Sequence, residues 1–559
     1  MIRDQLQQYI EETIGNNTPI HLEHPNDESF GDFSTNIALI SAKQTNQNPQ
    51  EVADSIIAQL QANKPDYIEK IEKAGPGFIN FHFSKDFFFH SIQDILENKQ
   101  TTTPLQGKKV LVEHTSPNAF KLLHIGHFMA NTIGESVARL LEALGADVQR
   151  ATYASDIGLP VAKAVWGMMQ MEAQMPDEND SIQRKVEFIG NAYTHGSEMY
   201  ESDAEIKTQI DNINIHIYKK DNDDIHTLYQ KGREWSTAYL EEMYKKLDTN
   251  FDYRFFESEV FEEGTRIVRE NLGKVFEESE GAIVFRGENH GLHTRVFISS
   301  KGAPTYEAKE LGLHKKKADI PYDTSIVVTG NEQSAVIEVG LKAFEQIDKE
   351  RAEKTQHISH GLMLGPNGKK MSSRKGGSLS AEELISTVKE EVIKKMTEAD
   401  TSIENTEAVA EKIAIGALKY QILKQGSGKN IVFDISQALS FEGDSGPYLQ
   451  YTLARTNSLL AKAPKGKNTT YEETGEEIYK LLYQFEEVIE RAGKEYAPQQ
   501  LTTYLIELAS RFNTYYAQEK IIDPENKERT AQKIAMVEAV HKTLRKGLTT
   551  LGIPVIERM

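Results

Sequence analysis

Lys109-Val-Leu-Val-Glu113, then His124-Ile-Gly-His127, then Asp147-Val-Gln-Arg-Ala-Thr152 follow one another in a single stretch. Between the second and third, Phe128, Ile133, Val137, Leu140, Leu141 and Leu144 recur at helical spacing and stop at Gly145. A short apolar run, a long amphipathic helix ended by glycine and a returning strand make a βαβ unit. Such a unit opens a nucleotide-binding α/β fold with a parallel sheet. A second strand pattern, Thr324 to Thr329, ends at Gly330 and is followed by the lysine-rich turn Gly365 to Gly377.

Outward from this centre the chain changes character. Upstream, residues 1–85 read as a small α+β domain. Phe33 to Ala42 is helical in pattern, and Ala74-Gly-Pro-Gly77 is a tight turn into the alternating strand Phe78-Ile-Asn-Phe-His-Phe83. Residues 106–390 form the α/β domain, and within it about 166–288 is acidic and mostly helical, as an insertion would be. Residues 391–559 have helical periodicity throughout, an all-α bundle interrupted at Glu442-Gly-Asp-Ser-Gly-Pro447 and by a polar loop, 462–474.

The 559 residues are too many for one core. With 39% hydrophobic and 26% charged residues, the composition is that of a soluble globular protein. The absence of cysteine excludes disulfides and Cys-ligated metal, and fits a reducing cytosol. No apolar run approaches the roughly 20 residues of a membrane helix, so a cytoplasmic protein with no membrane partner is expected. A net charge of −20 argues against indiscriminate nucleic-acid binding, while leaving local basic patches free to dock phosphates.

His124-Ile-Gly-His127 lies at the start of a helix, where unpaired N–H groups favour phosphate. Gly126 lets a base or ribose approach the backbone, and the two imidazoles can donate to one oxyanion. The plainer alternative is a pair of structural histidines that cap the helix. In Gly368-Lys-Lys-Met-Ser-Ser-Arg-Lys-Gly-Gly377, cations between small residues suit a loop that closes on polyphosphate, where charge develops as pyrophosphate leaves. Here the alternative is a solvated basic loop. Tyr448, Tyr451 and Arg455 share one face of a helix opening near Pro447, the spacing of a base-stacking surface.

His124-Ile-Gly-His127 and Lys370-Met-Ser-Ser373 resemble the two signatures of class I aminoacyl-tRNA synthetases. Val112 to His127, Phe30-Gly-Asp-Phe-Ser-Thr-Asn-Ile-Ala38, Ala74 to Asn80, Gly443-Asp-Ser-Gly-Pro-Tyr-Leu-Gln-Tyr451 and Leu551 to Met559 are similar to the arginyl members of that class. The resemblance runs in order along nearly the whole chain. It implies ATP with Mg²⁺, L-arginine and tRNA-Arg as ligands, with no resident metal, and a monomer that forms arginyl-adenylate only when tRNA is present. By the same resemblance, His124, Gly126, His127, Asp156, Gly158, Lys370, Met371 and Ser372 meet ATP. Glu113, Asn118, Tyr306, Glu310 and Gln333 meet arginine. Phe78 and Asn80 meet the tRNA D-arm, and the anticodon falls to residues 440–559 through Tyr448, Tyr451, Arg455, Tyr516 and Met559.

Two departures from the family pattern matter. Glu310 stands where the family has Asp, so Glu307 is a rival partner for the guanidinium. Ser373 stands where many class I enzymes have a second lysine, so Arg374 or Lys375, with Lys121, must supply that charge; Lys121 otherwise merely flanks the helix. The catalytic groups expected are therefore His124, His127, Lys370, Lys375 and Lys121. A class I synthetase for another amino acid, a small-molecule nucleotidyltransferase and a non-catalytic tRNA-binding relative are the competing readings. The N-terminal motifs and pocket acids count against the first, the long helical C-terminus against the second, and both signatures against the third.

Overall fold

The computed structural model describes residues 1–15, 18–99, 103–369, 371, 379–398, 405–464 and 474–559. At the N-terminus four antiparallel strands pair in the order β1 (Leu22–Glu23), β2 (Phe33–Thr35), β4 (Phe78–Phe83), β3 (Ile68–Ala74), packed against helices Ile2–Ile14, Ile37–Thr45 and Pro49–Ala62. The helix expected from Phe33 begins only at Ile37. Phe33, Ser34 and Thr35 are buried and pair with Phe81, Asn80 and Ile79, so sheet pairing overrides the helical pattern there.

The central sheet has five parallel strands in the order β12 (Thr355–His360), β11 (Thr324–Gly330), β5 (Lys109–Glu113), β6 (Asp147–Ala154), β7 (Tyr253–Phe256). The order reverses between β5 and β11. In such sheets the crevice beyond the strand ends at that reversal is where ligands bind. β5 ends on Glu113, which pairs with Ala151 on one side and Val327 on the other. Helix Ile125–Ala143 follows β5, and fifteen of its nineteen residues are buried, which fixes the position of its N-terminus.

The acidic stretch read as a helical insertion is only partly one. Helices Leu159–Gln170, Ile182–Ser202, Ala204–Lys219 and Asp223–Lys246 pack around their own apolar cluster. The chain then returns to the sheet as β7, a strand short enough to escape a periodicity reading, before helix Glu257–Glu270. A three-stranded antiparallel sheet follows, β8 (Glu277–Ser279), β9 (Ala282–Phe285) and β10 (Arg295–Ile298). The C-terminal region is a bundle built from Ala381–Glu398, Thr406–Leu423, Gly446–Lys462, Pro498–Gln518 and Lys527–Thr550. Among the described residues no helix is long and apolar enough to cross a membrane.

The two ends of the chain meet. Arg3 Nε donates to Glu487 Oε1 at 2.8 Å, His24 lies 3.2 Å from the same carboxylate, and Tyr483 packs among Phe83, Phe87 and Phe88. Beneath the central sheet, Lys419 Nζ donates to Leu247 O and Gly552 O, and Arg139 reaches Thr549 O and Asp248. The last helix is thus fastened to the nucleotide-fold helix.

Candidate active site

His124 caps helix Ile125–Ala143. Its Nδ1 lies 3.4 Å from the His127 N–H, and His127 Nδ1 lies 3.4 Å from the His124 N–H, a reciprocal capping box. The rings stack with centroids 3.5 Å apart. Burial, then the Lys121 cation, holds His124 below its usual value; burial, then His124, Lys121 and His360, holds His127 well below it. Both rings are therefore neutral near pH 7, and with each Nδ1 accepting from the backbone the proton sits on Nε2. The caps and the chemistry are compatible: structural work falls to Nδ1 and donation to Nε2–H. Gly126 serves these rings directly, because a Cβ there would lie 2.9 Å from His124 Cε1. It makes room for the imidazole, where approach of a base or ribose was expected.

The stretch that follows the lysine-rich turn is fastened at this point. His124 forms an antiparallel bridge with Ser380, and Ala381 N donates to Leu123 O at 2.7 Å. Upstream, Met371 is half-buried against the main core. Lys370, Ser372, Arg374 and Lys375 lie outside the described residues. Lys121 sits over the Tyr193 ring, 4.2 Å from its centroid, with its charge felt by both histidines. His360, at the end of β12, joins them: it is buried, its Nδ1 lies 2.8 Å from Gly361 O, and it acts on His127. The polar strand that carries it gave no usable pattern in sequence.

Across the switch point lies a second cluster. Helix Tyr306–Lys317 presents Tyr306, Lys309, Glu310 and Lys317 toward the ends of β5 and β6. The Tyr306 hydroxyl donates to Gln333 Oε1 at 3.4 Å. Glu113 is 2% exposed and Lys317 1%, and Lys317 Nζ stands 2.5 Å from Glu113 Oε2, an ion pair without an aligned hydrogen bond. Glu310 Oε1 is shielded from solvent with no hydrogen-bond partner among the described residues. Burial, then the Glu113 charge, raises the Glu310 carboxyl above its usual range, against Lys317 and the Tyr306 hydroxyl. Tyr153, buried on β6, lies in the field of Glu310, Glu257, Tyr306 and Glu113. Glu113, Tyr306, Glu310 and Gln333 are brought together as expected, while Tyr153, Glu257, Lys309 and Lys317 are additions. Glu307 instead lies 3.9 Å from Arg295 of β10.

The turn between β5 and the histidines is held from below. Thr115 and Ser116 have φ of 72° and 39°, left-handed values that are strained for a β-branched residue. Thr115 Oγ1 lies 2.9 Å from His114 Nδ1 and accepts from Asn131 Nδ2 at 3.1 Å, and Asn131 Oδ1 accepts from Thr249 at 3.3 Å. All four side chains are buried. This chain fixes the turn that leads from Glu113 to Asn118, which is half-buried and bridges to Ser155.

Asp156 and Asn80, expected to meet ATP and tRNA, are both buried. The Asp156 carboxylate is fully buried and accepts from Arg233 Nε at 2.7 Å and from Ser258 N and Oγ at 2.9 and 2.7 Å. With these acceptors filled the carboxylate organises the turn. Gly158, at φ 113°, supplies a conformation that L side chains rarely adopt as helix Leu159–Gln170 begins. In the N-terminal domain Asn80 is 2% exposed between Ser34 and Glu72, hidden from any polynucleotide. Phe78 is half-buried, and Phe30 nearby is 49% exposed.

In the C-terminal bundle, Arg455 lies between Tyr451 and Tyr516, its guanidinium carbon 4.7 Å from each ring centroid. Arg455 Nη1 donates to Asn513 Oδ1. Phe441, 37% exposed, meets Tyr451 edge-on, and Tyr516 is 38% exposed. Tyr448 and Met559 are half-buried against the core. Among the described residues no group of three or more His, Asp or Glu is placed to hold a metal ion.

Three family models match: "tRNA synthetases class I (R), catalytic domain" over residues 91–435, "DALR anticodon binding domain" over 449–559 and "Arginyl tRNA synthetase N terminal domain" over 1–83. The curated arginine–tRNA ligase of Borreliella burgdorferi is 30% identical, over 97% of this chain and 95% of its own length. That of Treponema denticola is 28% identical, over 100% and 98%. Among solved structures, the Thermus thermophilus arginyl-tRNA synthetase superposes with TM-score 0.82 at 24% identity, covering 100% of both chains, a likeness of fold.

Proposed function

The chain belongs to the arginyl-tRNA synthetase family of the class I aminoacyl-tRNA synthetases, and we propose how its residues divide that family's reaction. Its activity is that of an arginine–tRNA ligase. Arginine and ATP give arginyl-adenylate and pyrophosphate, and the arginyl group then passes to the 3′-terminal adenosine of tRNA with release of AMP. The partner is tRNA-Arg, Mg²⁺ arrives with ATP, and the enzyme works as a cytoplasmic monomer.

The convergence of Glu113, Tyr306, Glu310 and Gln333 at the switch point, beside the histidine pair, carries this reading. A guanidinium is planar and permanently charged, so its site needs a desolvated carboxylate. Glu310, with a buried oxygen left unpaired, is better suited than Glu307. The arginine carboxylate attacks the α-phosphorus in line. The neutral histidines donate from Nε2 to the phosphate oxygens, while Lys370 and Lys375 carry charge to the departing pyrophosphate, so the rate comes from alignment and fixed dipoles. Tyr451 and Tyr516 offer rings to unpaired anticodon bases, with the Arg455 guanidinium between them and Tyr448 and Met559 as the wall behind.

Charging total tRNA with each of the twenty amino acids tests this. Arginine alone should be incorporated, and ATP–pyrophosphate exchange should stay negligible until tRNA is added. Lysine charging at comparable efficiency would overturn the pocket assignment. Exchange without tRNA would overturn only the tRNA requirement.

A further inference from the structure

The end of the chain comes to rest beneath the central sheet, on a buried charge cluster. Gly552, just past helix Lys527–Thr550, has φ 68°, and a Cβ there would lie 3.6 Å from Lys419 Nζ, 3.8 Å from Glu135 Cγ and 3.9 Å from Arg139 Cζ. Lys419 and Glu135 are buried. Lys419 Nζ donates to Gly552 O at 2.8 Å and to Leu247 O at 2.7 Å, while Glu135 accepts from Arg139 Nε at 2.7 Å and Arg150 Nε at 2.8 Å. Arg139 also donates to Thr549 O at 3.0 Å and to Asp248 O at 2.6 Å. Burial, then Arg139, lowers Lys419 to about 8, which leaves it charged at pH 7.

Two routes lead up from this cluster, and both stop at Thr115. On one side Leu247, Asp248 and Thr249 follow helix Asp223–Lys246. The first two are gripped by Lys419 and Arg139, and Thr249 Oγ1 donates to Asn131, whose amide donates to Thr115 Oγ1. On the other side Glu135 Oε2 lies 3.9 Å from His114 Nε2. Because Thr115 Oγ1 accepts from Asn131, its own proton is left for His114 Nδ1 at 2.9 Å, so the ring proton sits on Nε2 and faces Glu135. Burial, then Arg150 and Lys419, holds His114 down to about 3, so the ring is neutral. Helix Ile125–Ala143 bears directly on this ring's residue, since a Cβ at Gly134 would lie 2.3 Å from His114 Cβ. Thr115 at φ 72° and Ser116 at 39° keep their strained conformation only while the surroundings impose it.

Resting on the placement of the active-site turn above, we infer that the end of the chain is a working part of the active site. Through Lys419 and Glu135, the segment from Thr549 to Gly552 holds Thr115, and with it the strained turn that carries Asn118, in the geometry the reaction requires. Lys419 and Glu135 are positioning residues that act through Thr115. The seating of the C-terminal bundle therefore sets kcat.

Aminoacylation by the full-length enzyme, with kcat, the ATP KM, tRNA affinity and melting temperature followed, tests the inference. Lys419→Met should lower kcat about tenfold or more and hold the ATP KM and tRNA affinity within about twofold, because the turn shifts while nucleotide and anticodon contacts stay. Thr115→Val removes the hydroxyl on which both routes end. If Lys419 acts through it, kcat of Lys419→Met/Thr115→Val should lie within about twofold of the slower single variant, although the double variant melts lower than either. Losses in kcat that multiply overturn the inference, and so does a folded Lys419→Met enzyme with unchanged kcat; Lys419 is then a support of the bundle alone. Where Lys419→Met melts below the assay temperature, Arg139→Gln takes its place under the same criteria, since it cuts the ties to Thr549 and Asp248 while Arg150 still answers Glu135. Charging of arginine by the wild-type enzyme separates the two readings. Its absence would fell the site reading and the relay together, and its presence beside multiplying losses fells the relay alone.

Discussion

The pocket around Glu310 and the platform around Arg455 both use cations and aromatic rings, in opposite surroundings. In the pocket, Lys317 and Lys309 are buried against glutamates, and Tyr153 and Tyr306 wall them in. On the platform, the Arg455 guanidinium sits between two tyrosines at the surface, one of them 38% exposed. A small ligand with one charge can be weighed in a low-dielectric site, where a single stranded charge costs several kcal/mol. A polyanion cannot be taken out of water, so it is met by surface stacking, where each contact contributes little and salt screens the charges.

Lys317→Met should show the largest effect, since Glu113 is left as a buried, uncompensated carboxylate. A loss of about 3–5 kcal/mol in stability is expected, read by chemical denaturation. A loss under about 1 kcal/mol would place the pocket in the same regime as the surface. Tyr451→Ala should leave stability unchanged and weaken tRNA-Arg binding by roughly 1–3 kcal/mol, with less loss on tRNA whose anticodon bases are altered. Equal losses on both tRNAs together with a lower melting temperature would make the tyrosine a packing residue.

A smaller effect comes from pH. Burial and Glu113 raise the Glu310 carboxyl, so the folded empty enzyme holds a proton there that the unfolded chain has released above the ordinary carboxylate range. Glu310 thus contributes stability that is fully present below its unfolded pKa and falls as pH rises through its folded one. Arginine, binding the ionised form, should release that proton, and its KM should fall by up to about tenfold per pH unit across this window. Calorimetry in buffers of different ionisation enthalpy counts the proton. The tRNA affinity of the platform should not follow the same profile. Smallest of all, Thr115→Val should cost about 1 kcal/mol and lower kcat, while Thr115→Ser, which keeps the hydroxyl between His114 and Asn131, should be nearly silent.

What could be read along the chain was whatever carried its own period. β5, the histidine helix and β11 stand where apolar spacing put them. β12, Thr-Gln-His-Ile-Ser-His, is an edge strand with too few apolar residues to announce itself, and His360 was lost with it. Phe33 to Thr35 looked helical because a partner strand some forty-five residues downstream decides its conformation. Within the site, the residues of one helix were legible in principle. Tyr306, Glu310 and Lys317 fall at i, i+4 and i+11, yet Lys315-Lys316-Lys317 reads as a solvated run, and only tertiary packing buries its last member. The partners of Asp156 were not legible either, since Arg233 and Ser258 come from distant segments.

The contact between Arg3 and Glu487 spans 484 residues of chain. During synthesis at about 5–20 residues per second, the N-terminal domain is finished roughly 20 to 80 seconds before its docking surface exists. Phe83 and Phe87, which rest against Tyr483 in the finished molecule, spend that interval without their cover. The anticodon-binding bundle, made last, closes the ring of the chain, and the ribosome's pace sets how long an aromatic face stands open to the wrong partner.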